Sequence, residues 1–329
     1  MAVSSGNPQA PTPAEADGAK PERESALTVI VAFGSNLVVA AAKTVAAVVT
    51  NSAAMLAEAT HSWADTANEV FLLVAQRRAA LPPDDRHPLG YGREVYVWSM
   101  FAGLGLLAVG AGVSITHGIR ELVDPTPADN FLVAYLTLAV AAIAETVSFT
   151  RARRQLRETA ERTRRSLWGQ VMRTSDPTVR AVFLEDYSAL IGLAIAAVGI
   201  AANQVTGSTI PDAIGSILIG VLLAVIGFVL VDRNRSFLVG EVADDWVWNA
   251  ALKNLLDQPE VARVTRLVVS TVGAGQLFVT AAVDLAGEPG ESAASAQLAA
   301  LERRAQQWQG VVKAEFTLSR PGEEALQPH

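Results

Sequence analysis

Imidazole and carboxylate side chains interrupt two apolar segments of this chain, where ionisable groups are unexpected. In the first segment, His61 and Asp65 are four residues apart, which places them on one face of a helix with Cβ atoms about 5–6 Å apart. Asn68 and Glu58 extend the same polar stripe by one turn in each direction, and each could support the site or carry a proton. A histidine and an aspartate at this spacing can hold one cation between them.

The second segment carries two adjacent carboxylates, Glu185 and Asp186. Neighbouring residues on a helix point about 100° apart. The sequence therefore leaves open which of the two binds a cation directly and which supports it or carries protons. An ionisable residue at the centre of a bilayer costs at least about 2.5 kcal/mol on insertion scales. A divalent cation offsets that cost, because carboxylates neutralise it and a neutral imidazole completes its shell.

We therefore predict a metal site formed by His61, Asp65, Glu185 and Asp186. Protons compete with a cation for the same atoms, so the site could exchange one for the other. Zinc is the favoured cargo, since a histidine with carboxylates suits it, while manganese or iron(II) remains the alternative. A permanently bound cofactor is not expected. The competing interpretation is that these side chains only form hydrogen bonds between helices.

Long apolar segments surround the candidate ligands. Half of the 329 residues are hydrophobic, and the chain contains no cysteine, which excludes disulfides and thiolate metal sites. About 20 apolar residues cross the roughly 30 Å hydrocarbon layer. The sequence predicts six transmembrane helices, at residues 26–50, 52–76, 96–117, 131–149, 179–205 and 210–231.

Arginine is concentrated in the loops after the second and fourth predicted helices, whereas the turns near residues 51 and 207 have none. Positively charged loops stay in the cytoplasm, so both termini are expected there, in a multi-pass protein of the inner or plasma membrane. Residues 1–25 are expected to be a disordered cytoplasmic tail without a signal peptide. The arginines could also attract anionic lipid. A nucleic-acid partner has no support.

A soluble pattern begins at residue 232. Helical and strand periodicities predict the order α-β-β-α-β over residues 232–320, a small ferredoxin-like α+β domain, followed by a tail at residues 321–329. No glycine-rich phosphate loop and no catalytic triad spacing occurs in the sequence. The chain is therefore expected to be a secondary active transporter, neither an enzyme nor an ATP-driven pump.

These residues resemble the cation diffusion facilitators, proton-coupled exporters of zinc and related divalent metals. The motifs that carry the resemblance are His61-Ser62-x-x-Asp65-x-x-Asn68, the loop at residues 84–93, Leu184-Glu185-Asp186, Asp212-Ala213-Ile214-Gly215-Ser216 and the C-terminal α-β-β-α-β order. The resemblance covers nearly the whole chain after the tail. It implies an antiporter that forms a homodimer, held together by its C-terminal domain.

Two features depart from the usual pattern of that family. Typical members offer a histidine and an aspartate four apart on the fifth helix, where this chain has Glu185 and Ala189. Some bacterial members bind a second cation in the loop after the second helix through an aspartate and two histidines. Asp84 and His87 remain here, but Tyr91 replaces the second histidine, so this loop is expected to be a weak site at most.

Two other functions fit the same composition. The chain could be a membrane-anchored sensor or scaffold whose soluble domain does the work. It could also transport protonated organic cations, in which case transport would not respond to metal chelators.

Overall fold

The computed structural model describes residues 22–163, 165–287 and 289–328. The N-terminal part is helical, with α1 (Glu22–Thr50), α2 (Ala53–Ala79), α3 (Glu94–Val123, with a π-helical turn at Leu106–Ala111), α4 (Phe131–Arg162), α5 (Leu167–Arg173), α6 (Pro177–Thr206) and α7 (Ile210–Val239). The C-terminal part contains α8 (Asp245–Leu256), β1 (Val261–Gly273), β2 (Gln276–Leu285), α9 (Glu291–Ala305) and β3 (Val311–Leu318).

Each predicted transmembrane segment coincides with one of the long helices. Within the described ranges, four helices are long and apolar enough to cross a membrane, namely α3, α4, α6 and α7. The apolar stretch described for α1 is shorter, Asn36–Thr50. The α2 helix is less apolar because its interior carries Glu58, Asp65 and Glu69.

The α2 helix occupies the middle of the bundle, where it packs against α1, α3, α6 and α7. The α3 and α7 helices approach each other closely because glycines line their contact. A Cβ atom at Gly118 would lie 2.8 Å from the Ala213 carbonyl oxygen, and one at Gly227 would lie 2.9 Å from that of Gly103. These two helices therefore pack backbone against backbone.

Several predicted helix boundaries differ from the structure. The largest difference is at α4, which continues to Arg162, past the predicted end at residue 149, through polar turns with Arg–Glu pairs four residues apart. The α7 helix continues to Val239, past the predicted end at residue 231, because its polar residues find partners beyond the apolar segment. Asn234 accepts a hydrogen bond from Arg180, and Arg233 pairs with Glu241. The α1 helix begins at Glu22, inside the predicted tail, and residues 1–21 of that tail lie outside the described residues.

The C-terminal domain has the predicted order of elements. Its three-stranded sheet runs β1-β2-β3, with β1 and β2 antiparallel and β2 and β3 parallel. The α8 and α9 helices share one hydrophobic core with the sheet, as shown by Leu252 and Leu301 buried with Val283. The chain then returns to β1, where the Leu326 amide donates to the Val264 carbonyl oxygen over 2.8 Å.

This domain contacts one end of the helical bundle. The turn between β1 and β2 reaches the start of α6, where the Gly275 amide donates to Ser175 Oγ over 3.2 Å. Arg165, just after α4, pairs with Asp244 at 2.6 Å. We call this end, formed by residues 80–93 and 163–176, the domain end. The opposite end, formed by residues 50–52, 124–130 and 207–209, is the far end.

Candidate metal centre

The polar stripe on α2 is buried in the bundle. Ser52 caps the helix by accepting a hydrogen bond from the Met55 amide over 3.1 Å, and α2 then runs from the far end to the domain end. His61 is fully buried, and its Nε2 lies 3.1 Å from Asp65 Oδ2. The four-residue spacing thus brings imidazole and carboxylate together on one helix face, as expected from the sequence.

The two adjacent carboxylates of α6 point toward different helices. The Asn68 amide nitrogen on α2 donates a hydrogen bond to Glu185 Oε1. Ser148 Oγ on α4 donates to Asp186 Oδ2 over 2.7 Å. Both carboxylates are buried. Glu185 is therefore held on the α2 side of α6, and Asp186 on the α4 side.

These side chains surround a cavity of about 620 Å³ between α1, α2, α4 and α6. Asp65, Glu185 and Asp186 line it, whereas His61 is not one of its lining residues. Arg151 and Thr178, from the domain-end parts of α4 and α6, also line it. The cavity therefore extends from the candidate ligands toward the domain end.

Two further carboxylates, neither of them among the ligands predicted from the sequence, line the same cavity. Glu69 follows Asp65 by four residues on α2, and the Asn36 amide on α1 donates to its Oε1 over 2.6 Å. Glu145 on α4 lines the cavity as well. The spacing of Glu69 continues the polar stripe by one turn, so the pattern that identified Asp65 could also have identified it. Glu145 stands on a separate helix and carries no such signal.

Several buried polar atoms on α2 have no hydrogen-bond partner within the described part of the chain. They are Glu58 Oε1, His61 Nδ1, Ser62 Oγ, Asp65 Oδ1, Asn68 Oδ1 and Glu69 Oε2. His61 Nε2 makes no well-directed hydrogen bond either, although it lies 3.1 Å from Asp65 Oδ2. Buried polar groups are normally paired, and their exceptions call for an explanation such as an ion or water. In the same described residues, no three histidine, aspartate or glutamate side chains converge as a ready metal-binding group.

Glu58 occupies the far-end side of the stripe. Its Oε2 lies 3.1 Å from Lys43 Nζ on α1, and neither side chain is exposed. The pair does not line the cavity at Asp65 and Glu185.

The loop after α2 places Asp84 and His87 together, outside the bundle. Asp84 Oδ1 lies 3.1 Å from His87 Nδ1, and its Oδ2 accepts a hydrogen bond from the Tyr91 hydroxyl over 2.7 Å. The hydrogen bond from Tyr91 is the main cause that lowers the pKa of Asp84. Both oxygens of this carboxylate are thus already engaged within the loop.

Comparison with known families gives a match over most of the helical part. Residues 29–239 match the family described as "Cation efflux transmembrane domain". This range includes every candidate ligand on α2 and α6, as well as the loop between α2 and α3.

Similar proteins carry names of metal transport. Metal tolerance protein C4 of Arabidopsis thaliana is 32% identical over 72% of this chain and 52% of its own length. The human mitochondrial protein named proton-coupled zinc antiporter SLC30A9 is 31% identical over 74% of this chain and 43% of its own length. Magnetosome protein MamB of Paramagnetospirillum magneticum is 25% identical over 70% of this chain and 72% of its own length. The chain thus spans about half the length of the first two relatives.

Proposed function

Because the chain belongs to the cation diffusion facilitator family, with the cation efflux transmembrane domain at residues 29–239, we propose that it exports a divalent cation in exchange for protons. Family membership and the four long apolar helices make it a membrane protein. The predictions of a transporter family and of a chain that is not an enzyme are confirmed by the match.

The proposed cation position lies between α2 and α6. The observation that carries it is the group of unpaired polar atoms on α2 beside a cavity that Asp65 and Glu185 both line. A cation entering there would give these atoms the partner that they lack. In this structure the Asn68 amide donates a hydrogen bond to the Glu185 carboxylate. An arriving cation would replace this donor, and Asn68 would release Glu185.

We assign the direct ligand on α6 to Glu185. Its carboxylate faces α2, where His61 and Asp65 lie, whereas Asp186 is hydrogen-bonded to Ser148 on α4. Asp186 would then add negative charge to the cavity and hold a proton or water beside the cation. Residues that surround a metal ligand in this way tune affinity without touching the metal.

Proton exchange follows from the chemistry of the same ligands. A cation needs deprotonated carboxylates and a neutral imidazole, so binding releases protons and protonation releases the cation. The cavity reaches toward the domain end, which is the side from which a cation would enter. A second conformation, open at the far end, would complete the exchange.

Zinc is the favoured cargo. One imidazole with two carboxylates suits zinc, and two of the relatives described above are named for metal tolerance and zinc antiport. Manganese or iron(II) is the alternative, because carboxylates also suit those ions and Glu69 and Glu145 make the cavity rich in them.

The placement in the membrane is part of the proposal. With α1 and α2 included, the bundle has six spans, and the arginine-rich domain end faces the cytoplasm together with both termini. The C-terminal domain would join two chains in a homodimer, and the arginines after residue 150 would contact anionic lipid. The inner or plasma membrane is the proposed location.

Asp84 and His87 are proposed as a weak cation site at most, because both oxygens of Asp84 are engaged.

Metal uptake into proteoliposomes under an imposed pH gradient tests this function. Zn²⁺, Mn²⁺, Fe²⁺ and Co²⁺ are offered to the parent, to Asp65→Ala, and to Glu158→Ala as a control on an exposed part of α4. We expect gradient-dependent flux in the parent and the control, and none in Asp65→Ala. If folded parent protein moves no metal, or Asp65→Ala moves it equally well, the proposal is wrong.

A further inference from the structure

A buried ion pair separates the cavity from the far end of the bundle. Lys43 on α1 and Glu58 on α2 are both fully buried, with Nζ and Oε2 3.1 Å apart. Glu58 is five residues from the start of α2 at Ala53, which corresponds to about 8 Å along the helix axis. A cation that leaves the cavity along α2 toward the far end must pass this pair.

Among the described residues, only one oxygen of the Glu58 carboxylate has a partner. Lys43 holds Oε2, while Oε1 has no hydrogen-bond partner in the part of the chain that the structure describes. Oε1 points at Gly192 on α6, where an added Cβ atom would collide with it. The glycine therefore leaves room for an oxygen that nothing in the described structure uses.

A second candidate ligand lies one turn away. His61 follows Glu58 by three residues, so their Cβ atoms are about 5–6 Å apart on the same helix face. His61 is completely buried, and neither of its ring nitrogens has a well-directed hydrogen bond among the described residues. An unpaired carboxylate oxygen thus lies one turn from an imidazole whose Nε2 is 3.1 Å from Asp65 Oδ2 and whose Nδ1 has no partner among the described residues.

We propose that Glu58 and His61 form a second divalent-cation position between the cavity and the far end. The Lys43 ammonium neutralises Glu58 when no metal is bound there. The inference rests on the proposed transport function. His61 would pass the cation from Asp65 to Glu58, and water would complete its shell. The lysine ammonium is a compact charge on a flexible stem, so an arriving divalent ion can displace it.

Glu58 needs a positive partner between cation passages because an uncompensated buried charge is costly. Removing one partner of a buried ion pair is strongly destabilising, because the other charge is left without compensation. A path that carries cations intermittently would leave Glu58 in this condition between passages. Lys43 neutralises the carboxylate during those intervals and leaves Oε1 available.

Cobalt binding to the purified full-length protein tests the proposal. Co²⁺ coordinated by imidazole and carboxylate absorbs visible light, and equilibrium dialysis at mildly alkaline pH counts the bound ions. Lys43→Met removes the charge but keeps the length of the side chain. Because His61 serves both positions, the ions are counted in an Asp65→Ala background, where we expect Lys43→Met to add one Co²⁺ per chain. Lys43→Arg keeps the charge and should show no gain. Lys43→Gln offers a second neutral replacement if the methionine variant does not fold.

The double variant Lys43→Met/Glu58→Gln assigns the extra ion. If the gain disappears in this variant, Glu58 holds the ion as proposed. The proposal is overturned if a monodisperse Lys43→Met or Lys43→Gln protein shows no gain, or if the gain persists without Glu58. In either case the ion pair only ties α1 to α2.

An Asp65→Ala background separates this proposal from the proposed function. If Asp65→Ala binds as much Co²⁺ as the parent, the cation position between α2 and α6 is wrong. The comparison of Asp65→Ala with Asp65→Ala/Lys43→Met still tests the second position in that event. A gain of one ion in the latter supports it, and no gain refutes it.

Discussion

Asn68 on α2 donates a hydrogen bond to Glu185 on α6 and so joins the two helices that carry the candidate ligands. Asp186, the next residue, is bonded instead to Ser148 on α4. The two carboxylates that the sequence could not distinguish are thus held by different helices. Because His61 and Asp65 also stand on α2, Glu185 is the one of the two carboxylates that is held on their side of α6.

Glu185→Gln is expected to impair transport more than Asp186→Asn. Replacing a direct ligand by a neutral amide removes both charge and a donor atom, whereas changes in residues around the ligands typically cost about 10- to 100-fold in metal affinity. We expect Asp186→Asn to fall within that range and Glu185→Gln to lose more. Initial rates of Zn²⁺ uptake into proteoliposomes, measured over a range of Zn²⁺ concentrations, give both affinities.

Ser148→Ala is the matched control for this comparison, because it removes the hydrogen bond to Asp186 without changing any carboxylate. Its effect should resemble a mild form of Asp186→Asn. Equal losses in Glu185→Gln and Asp186→Asn would argue against the assignment, and a greater loss in Asp186→Asn would reverse it.

The placement of candidate ligands that lie on one helix could be predicted from the sequence. The four-residue spacing of His61 and Asp65 specifies a shared face, whatever the surrounding fold. The predicted order of elements in the C-terminal domain also agrees with the structure, since alternating and helical periodicities are local signals.

Relationships between helices could not be predicted in the same way. Nothing in the sequence pairs Lys43 with Glu58 or directs Glu185 and Asp186 to different neighbours, because these contacts depend on how the helices rotate and pack. Asp212 shows the same limit. A carboxylate near a helix start ordinarily accepts hydrogen bonds from the free amides of its own helix, but Asp212, near the start of α7, accepts them from amides of α2.

Asp212→Asn is expected to lower the stability of the helical bundle. Asp212 is buried, and its carboxylate accepts hydrogen bonds from Ser52 Oγ over 2.8 Å and from the Ala53 amide over 2.6 Å. Hydrogen bonds to charged groups contribute about 1.5–3 kcal/mol each, and an asparagine oxygen can keep one of them. We expect a loss of about 1–3 kcal/mol in the free energy of unfolding.

Thermal unfolding in detergent measures this effect. Asp124→Asn changes an exposed aspartate at the same end of the bundle and should leave the midpoint almost unchanged. An equal midpoint for Asp212→Asn and the parent would show that Asp212 does not hold the start of α2.

Gly118→Ala and Gly112→Ala are expected to have opposite effects, although both lie on α3. A Cβ atom at Gly118 meets the Ala213 carbonyl oxygen at 2.8 Å, so α3 and α7 must separate, whereas Gly112 has nothing within 4 Å. Overpacking of this kind typically costs about 1–3 kcal/mol. Alanine in place of an unhindered helical glycine gains up to about 1 kcal/mol. Thermal midpoints of the two variants, compared with the parent in one detergent, test the contact; two shifts of the same sign would contradict it.

Tyr91→Phe is expected to destabilise the loop after α2 in a pH-dependent manner. The hydrogen bond from the Tyr91 hydroxyl lowers the pKa of Asp84 below its usual 3.8. A group whose pKa is lower in the folded state stabilises that state above its unfolded pKa, and this contribution is lost as the pH falls through the folded value. The difference in thermal midpoint between parent and Tyr91→Phe should therefore be complete near neutral pH and decrease below about pH 4.

Tyr135→Phe is the control, because that hydroxyl donates to Gln204, which does not titrate. A Tyr91→Phe difference that stays constant with pH, as expected for Tyr135→Phe, would show that the tyrosine does not act through the Asp84 carboxylate.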